Sequence, residues 1–172
     1  MLDKRKFYIN GKWVSPSKPN DLDVINPSTE EAFATISLGS KEDTNAAVSA
    51  AKKALVTWSE SSKEERVKLL EKLLDIYKKR YSEMTEAISM EMGAPMDWSN
   101  DAQTSSGQSH LEDFIVRLKE FKFDEQFSPE SNNRICYEPI GVCGLITPWN
   151  WPINQIALKA VSYTHLTLPT KA

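Results

Sequence analysis

Thiol and imidazole groups are scarce in this chain. Its 172 residues hold two cysteines, Cys136 and Cys143, and two histidines. Two thiols cannot build a disulfide framework, and so small a supply of Cys and His offers little to a metal ion. No metal ligands are assigned. Met84, Met90, Met92 and Met96 do not alter this, since their spacing with Ala87 and Ile88 suits packing and no Cys or His accompanies them. Excess charge is missing as well: a net charge of −3 and a pI near 5.5 leave no basic stripe, which argues against nucleic acid and anionic membranes as partners. Long apolar runs are also absent. No window approaches a membrane span, and the basic residues at Lys4 to Lys6 precede no apolar stretch of the kind a secretory signal needs. Cytoplasmic residence is the expectation.

What remains is an ordinary globular composition, 40% hydrophobic and 26% charged. A complete unit of this length buries about 70% of its unfolded surface. Phe7 to Ile9 and Lys12 to Val14 flank Asn10-Gly11, which predicts a hairpin with a type I′ turn. Leu22 to Ile25 and Glu31 to Ile36 read as a second hairpin around Asn26-Pro27-Ser28-Thr29.

Helices follow. Ser40 with Asp43 and Ser62 with Glu65 read as capping boxes. Behind the first, Ala47, Ala50, Ala51, Ala54, Leu55 and Trp58 form an apolar stripe; behind the second, Val67, Leu70, Leu73, Leu74, Tyr77 and Tyr81 do so. A third helix, Glu83 to Met92, should stop at Gly93 with Pro95 beyond it. A fourth spans about 97–121, and its His110 reads as a surface or packing residue because no partner carboxylate is identifiable. Residues 123–133 read as a polar linker, and Arg134 to Glu138 as a strand.

The richest stretch is Gly141 to Pro152. Val142 to Ile146 has the length and branching of a buried strand, Pro152 suits the first position of a helix, and Ile153, Ile156, Ala157 and Ala160 give that helix an apolar face. Asn150 falls at the strand-to-helix turn, where open α/β sheets bind ligands. Its amide could donate to a developing oxyanion, or it could simply cap the helix.

The run from Glu138 to Pro152, with its Pro148-Trp149-Asn150-Trp151-Pro152 turn, resembles the signature of the aldehyde dehydrogenase superfamily. The Ile9-Asn10-Gly11-Lys12-Trp13 hairpin, the Asn26-Pro27-Ser28-Thr29 turn and the Glu91-to-Pro95 bend resemble the family too, so that the likeness covers about residues 7–160. It implies an α/β fold: β-hairpins, a helical layer, an oligomerisation arm, and the first strand and helix of a Rossmann-like coenzyme domain, truncated. Residues 1–138 would hold the first three and 139–160 the start of the coenzyme domain. Beyond Ala160 the likeness stops, the helical pattern fades, and residues 161–172 are expected to be a non-native tail.

By the same resemblance, Asn150 matches the oxyanion-hole asparagine and Lys159 a lysine close to the catalytic centre. Ile146, Thr147, Pro148 and Trp149 match residues packed along the coenzyme, NAD or NADP, while Trp151 and Gln155 match positions lining the substrate tunnel. The implied activity is oxidation of a small-molecule aldehyde to a carboxylic acid through a cysteine thioester, in a homodimer or homotetramer. Neither Cys136 nor Cys143 matches the nucleophile, and no general-base glutamate is found. The alternative is therefore a non-catalytic fragment or assembly module.

Overall fold

The computed structural model describes residues 1–164, with side chains as far as Val161. Two small sheets open the chain. β2 (Phe7–Ile9) and β3 (Lys12–Val14) pair antiparallel around Asn10 (φ 52°) and Gly11 (φ 74°), the positive pair that a type I′ turn requires. β4 (Asp21–Asn26) and β5 (Glu31–Ser37) form the second hairpin, with a register shift between Val24 and Ile25. The two-residue β1 (Leu2–Asp3) adds to β5 in parallel, giving the order β1-β5-β4.

Both capping boxes form. Ser40 and Asp43 open α1 (Lys41–Trp58), and Ser62 and Glu65 open α2 (Lys63–Lys79). α3 (Tyr81–Met92) ends at Gly93, left-handed at φ 69°. A Cβ there would meet Pro27 Cγ at 2.8 Å, so the end of α3 sits directly on the β4–β5 turn.

The expected fourth helix is interrupted. α4 (Met96–Trp98) runs into a π-helical turn, Ser99–Thr104, and only then into α5 (Ser105–Glu120). Hydroxyl groups accompany that turn: Tyr81 Oη donates to Asn100 O at 2.6 Å and Tyr77 Oη to Thr104 O at 2.8 Å. Ser105 Oγ donates to Asp101 O at 2.6 Å, and Ser106 Oγ to Gln103 O at 2.7 Å. Carbonyls that regular helix bonding would use thus find side-chain donors.

The core lies between α2, α5 and α6 (Pro152–Thr164). Val67, Leu70, Leu111, Ile115, Leu118 and Val161 are buried together, with Leu74, Tyr77, Phe114 and Phe123 against them. Val161 is fully buried and α6 runs to Thr164, so the helix outlasts its sequence pattern. Burial of one β-branched side chain outweighs its lower helix propensity. The rest of the expected tail, residues 165–172, lies outside the described residues.

Two sequence expectations need correction. Residues 123–133 are not all linker, because β6 (Asp124–Gln126) pairs antiparallel with β7 (Arg134–Cys136), joined by an Arg134–Asp124 ion pair at 2.8 Å. Val142 to Ile146 forms no strand. A strand is held by its ladder, no described strand pairs with this stretch, and Ile146 is 91% exposed. Among the described residues no helix is long and apolar enough to cross a membrane.

Candidate active site

Thr147 to Trp151 bends into α6, and Pro152 occupies the first helical position as its fixed φ favours. The first helical bond, Gln155 N to Trp151 O at 3.0 Å, makes Trp151 the N-terminal flanking residue. Asn150 stands one position earlier. It is exposed, and its side chain makes no hydrogen bond among the described residues, so the capping role open in the sequence is not taken up.

Ile146, Thr147, Pro148 and Trp149 form an exposed run leading to Asn150, with Trp149 87% exposed. Residues 142–149 make no backbone–backbone hydrogen bond among the described residues. Trp151 is half-buried and meets Trp98 edge-on, with ring centroids 6.2 Å apart at 70°. Gln155 and Lys159, one helical turn apart and both half-buried, are joined: Lys159 Nζ donates to Gln155 Oε1 at 2.8 Å. One face of α6 therefore carries an indole, an amide and an ammonium group downstream of Asn150.

Some features near this face have no counterpart in the sequence reading. Asn154 Nδ2 lies 3.1 Å from His110 Nε2, linking α6 to α5. Gln103, in the π-helical turn, is 2% exposed and its Oε1 has no hydrogen-bond partner among the described residues. Polar residues at core-edge positions, such as Asn154 amid Ile153, Ile156 and Ala157, are the signal that could have revealed the first of these.

The thiols are placed elsewhere. Cys136, on β7, donates to Asp124 Oδ1 at 3.5 Å, and that carboxylate pushes its pKa above the ordinary thiol value. Such a thiol is a poor source of thiolate. Cys143 is half-buried, its Sγ 3.9 Å from Gly141 O. A cavity of about 260 Å³ opens between Ser59, Lys63, Arg66, Phe123 and Tyr137, and none of the candidate residues lines it. No cluster of three or more His, Cys, Asp or Glu side chains suited to a metal ion occurs among the described residues.

The family profile described as "Aldehyde dehydrogenase family" matches residues 13–164. The chain belongs to that family. It is 42% identical over 160 residues to the 3-succinoylsemialdehyde-pyridine dehydrogenase of a Pseudomonas species, covering 92% of this chain and 33% of that protein. Among solved structures, the aldehyde dehydrogenase of Bartonella henselae superposes with a TM-score of 0.94 at 54% identity, over 96% of this chain and 35% of that one. An aldehyde dehydrogenase C variant from Pseudomonas syringae, complexed with NAD+ and octanal, gives 0.90 at 37% identity, over 94% and 33%. The chain thus spans about a third of the length of the family members it matches. Its mixed α/β architecture is that of the N-terminal part of the aldehyde dehydrogenase fold.

Proposed function

We propose that the full-length protein carrying this segment oxidises an aldehyde to a carboxylic acid, using NAD+ or NADP+ and a cysteine thioester. The observation that carries this reading is Asn150, two residues before α6, with an amide committed to no hydrogen bond among the described residues. When thiolate adds to an aldehyde carbonyl, negative charge gathers on oxygen; an amide N–H already aimed there stabilises it without bringing charge of its own. Asn150 Nδ2 is that donor, and Lys159 supplies positive charge farther along the helix.

Bound NAD(P)+ supplies the hydride acceptor. The exposed strip Ile146, Thr147, Pro148 and Trp149 fits one wall of its site: apolar side chains for a flat ring, beside backbone groups not used in any internal ladder. Trp151 and Gln155 line the aldehyde's approach. Neither Cys136 nor Cys143 is assigned as nucleophile, and no general base is assigned to this chain. Residues 1–138 form the hairpins, helical layer and arm, and residues 139–160 begin the coenzyme domain. A cytoplasmic homodimer or homotetramer, paired through the β6–β7 arm, is the assembly we expect.

The test is Asn150→Ala in the full-length enzyme. Removal of one oxyanion donor should lower aldehyde-dependent NADH or NADPH formation about 10²- to 10³-fold. Unchanged turnover would refute the role. A second reading applies to the 172 residues as they stand: a non-catalytic assembly module, favoured by the exposure of Ile140 (76%), Ile146 and Trp149. Saturating NAD+ separates the two, since a ligand raises the melting temperature only of a fold that binds it.

A further inference from the structure

A polar pair joins α5 to α6 beside the apolar contacts of Leu111, Ile115, Leu118 and Val161. Asn154 Nδ2 and His110 Nε2 are 3.1 Å apart and both side chains are half-buried. An amide nitrogen can only donate, so in this contact Asn154 Nδ2 donates and His110 Nε2 accepts. The amide is thereby oriented: Nδ2 faces α5, and Asn154 Oδ1 is left without a hydrogen bond among the described residues.

Position on the helix gives that oxygen its interest. At 3.6 residues per turn, Ile153, Ala157 and Val161 form the buried stripe of α6, while Trp151, Gln155 and Leu158 form the adjacent one. Asn154 lies on the seam between them. It is the third residue of α6, four residues beyond Asn150. Gly107, one turn before His110, holds the helices close here, since a Cβ on it would come within 2.8 Å of Ile153 Cγ1.

We propose that His110 is a positioning residue for substrate choice. By accepting from Asn154 it turns the amide oxygen toward the face carrying Trp151 and Gln155, as an acceptor for an aldehyde bearing a hydroxyl group several bonds from its carbonyl carbon. This rests on the aldehyde dehydrogenase reading above. An unsubstituted aldehyde has nothing to offer that oxygen, and seating it there strips the acceptor of water without compensation.

The experiment uses the full-length enzyme and two aldehydes of equal chain length, one with a terminal hydroxyl and one without. The wild type should favour the hydroxylated substrate by kcat/KM. His110→Leu should cut that preference about tenfold through a higher KM for the hydroxylated substrate. His110→Gln, whose Oε1 can still accept from Asn154, should retain it. Asn154→Ala should match His110→Leu, and the double variant should fall no further than either single variant. If His110→Leu does not fold, Asn154→Ala and His110→Gln still decide the matter. A preference unmoved by Asn154→Ala, or lost equally in His110→Gln, overturns the inference. Asn150→Ala, run in parallel, separates the layers: turnover lost on both aldehydes leaves the reaction standing whatever His110 does, and turnover retained on both removes the reading beneath.

Discussion

The phenol oxygen of Tyr77 on α2 lies where a side chain at Gly107 on α5 would begin. A Cβ built on Gly107 would be 2.6 Å from Tyr77 Oη and 2.8 Å from Ile153 Cγ1. Three helices therefore converge on one missing methyl group, and the helix that follows Asn150 takes its seat there. Alanine favours a helix over glycine by roughly 1 kcal/mol, which taken alone predicts that Gly107→Ala stabilises. Tyr77 cannot retreat cheaply, however, because its hydroxyl is held by Thr104 O at 2.8 Å. Overpacking typically costs about 1–3 kcal/mol, so Gly107→Ala should lower stability by about 1 kcal/mol net. Urea denaturation checks this. The loss should shrink in a Tyr77→Phe background, and an equal loss in both backgrounds would assign the clash to Ile153.

The same phenol gives a second expectation. Thr104 is fully buried, so removing the Tyr77 hydroxyl leaves its carbonyl without that donor in a place water reaches poorly. Tyr77→Phe should cost about 1 kcal/mol or more. Tyr81→Phe removes a comparable bond to Asn100 O in an exposed setting, where water can replace it, and should cost less. Denaturation midpoints of the two variants test the ranking, and the reverse order would show that the π-helical turn is not held chiefly from α2.

These examples show which parts of the fold were legible in the sequence. Asn10-Gly11, Ser40 with Asp43, Ser62 with Glu65 and Gly93 act within a few residues of themselves, and each performs as its local chemistry dictates. The π-helical turn is not legible there, because its carbonyls depend on Tyr77 and Tyr81, which lie 27 and 19 residues from the carbonyls they bind. Val142 to Ile146 has strand chemistry but no ladder, and β6 has a ladder without strand chemistry, its Asp124-Glu125-Gln126 being poor strand formers. At the candidate site, the bend before Pro152 and the turn-spaced pair Gln155 and Lys159 were legible. The contact of Asn154 with His110 was not, since only the packing of α6 on α5 brings them together.

A third expectation concerns acid. Asp43 Oδ2 accepts from Ser40 N at 2.9 Å and Oδ1 from Ser17 N at 2.9 Å, so one carboxylate ties the start of α1 to the loop after β3. The Ser40 amide first and the Ser17 amide second hold its pKa down at about 2. A depressed carboxylate stabilises the fold fully above its unfolded value, about 3.9, and that contribution fades as pH falls through the folded value. Asp43→Asn should therefore be less stable than wild type at pH 7, with the gap closing between pH 4 and pH 2. Denaturation curves across that window measure it, and a gap that stays constant would mean the charge contributes nothing.

The last expectation separates charge from shape at Arg66. This side chain is only 6% exposed and lies between two rings, its Cζ 5.7 Å from the Trp58 centroid and 5.5 Å from that of Phe123. Its Nε donates to Ser61 Oγ at 2.9 Å, and one terminal nitrogen reaches Trp58 O at 3.4 Å and Ser59 O at 3.3 Å. The guanidinium thus sits on the carbonyl end of α1, where the helix dipole favours positive charge, while burial pulls its pKa below the usual arginine value. Lysine would keep the charge but lose the planar stack and the fork of donors. If charge at the helix end were the main term, Arg66→Lys would be nearly silent. If stacking and directed hydrogen bonds dominate, it should cost about 1.5–3 kcal/mol and approach Arg66→Met, which keeps the bulk without the charge. The two-ring geometry favours the second outcome, and a lysine variant as stable as wild type would reverse that assignment.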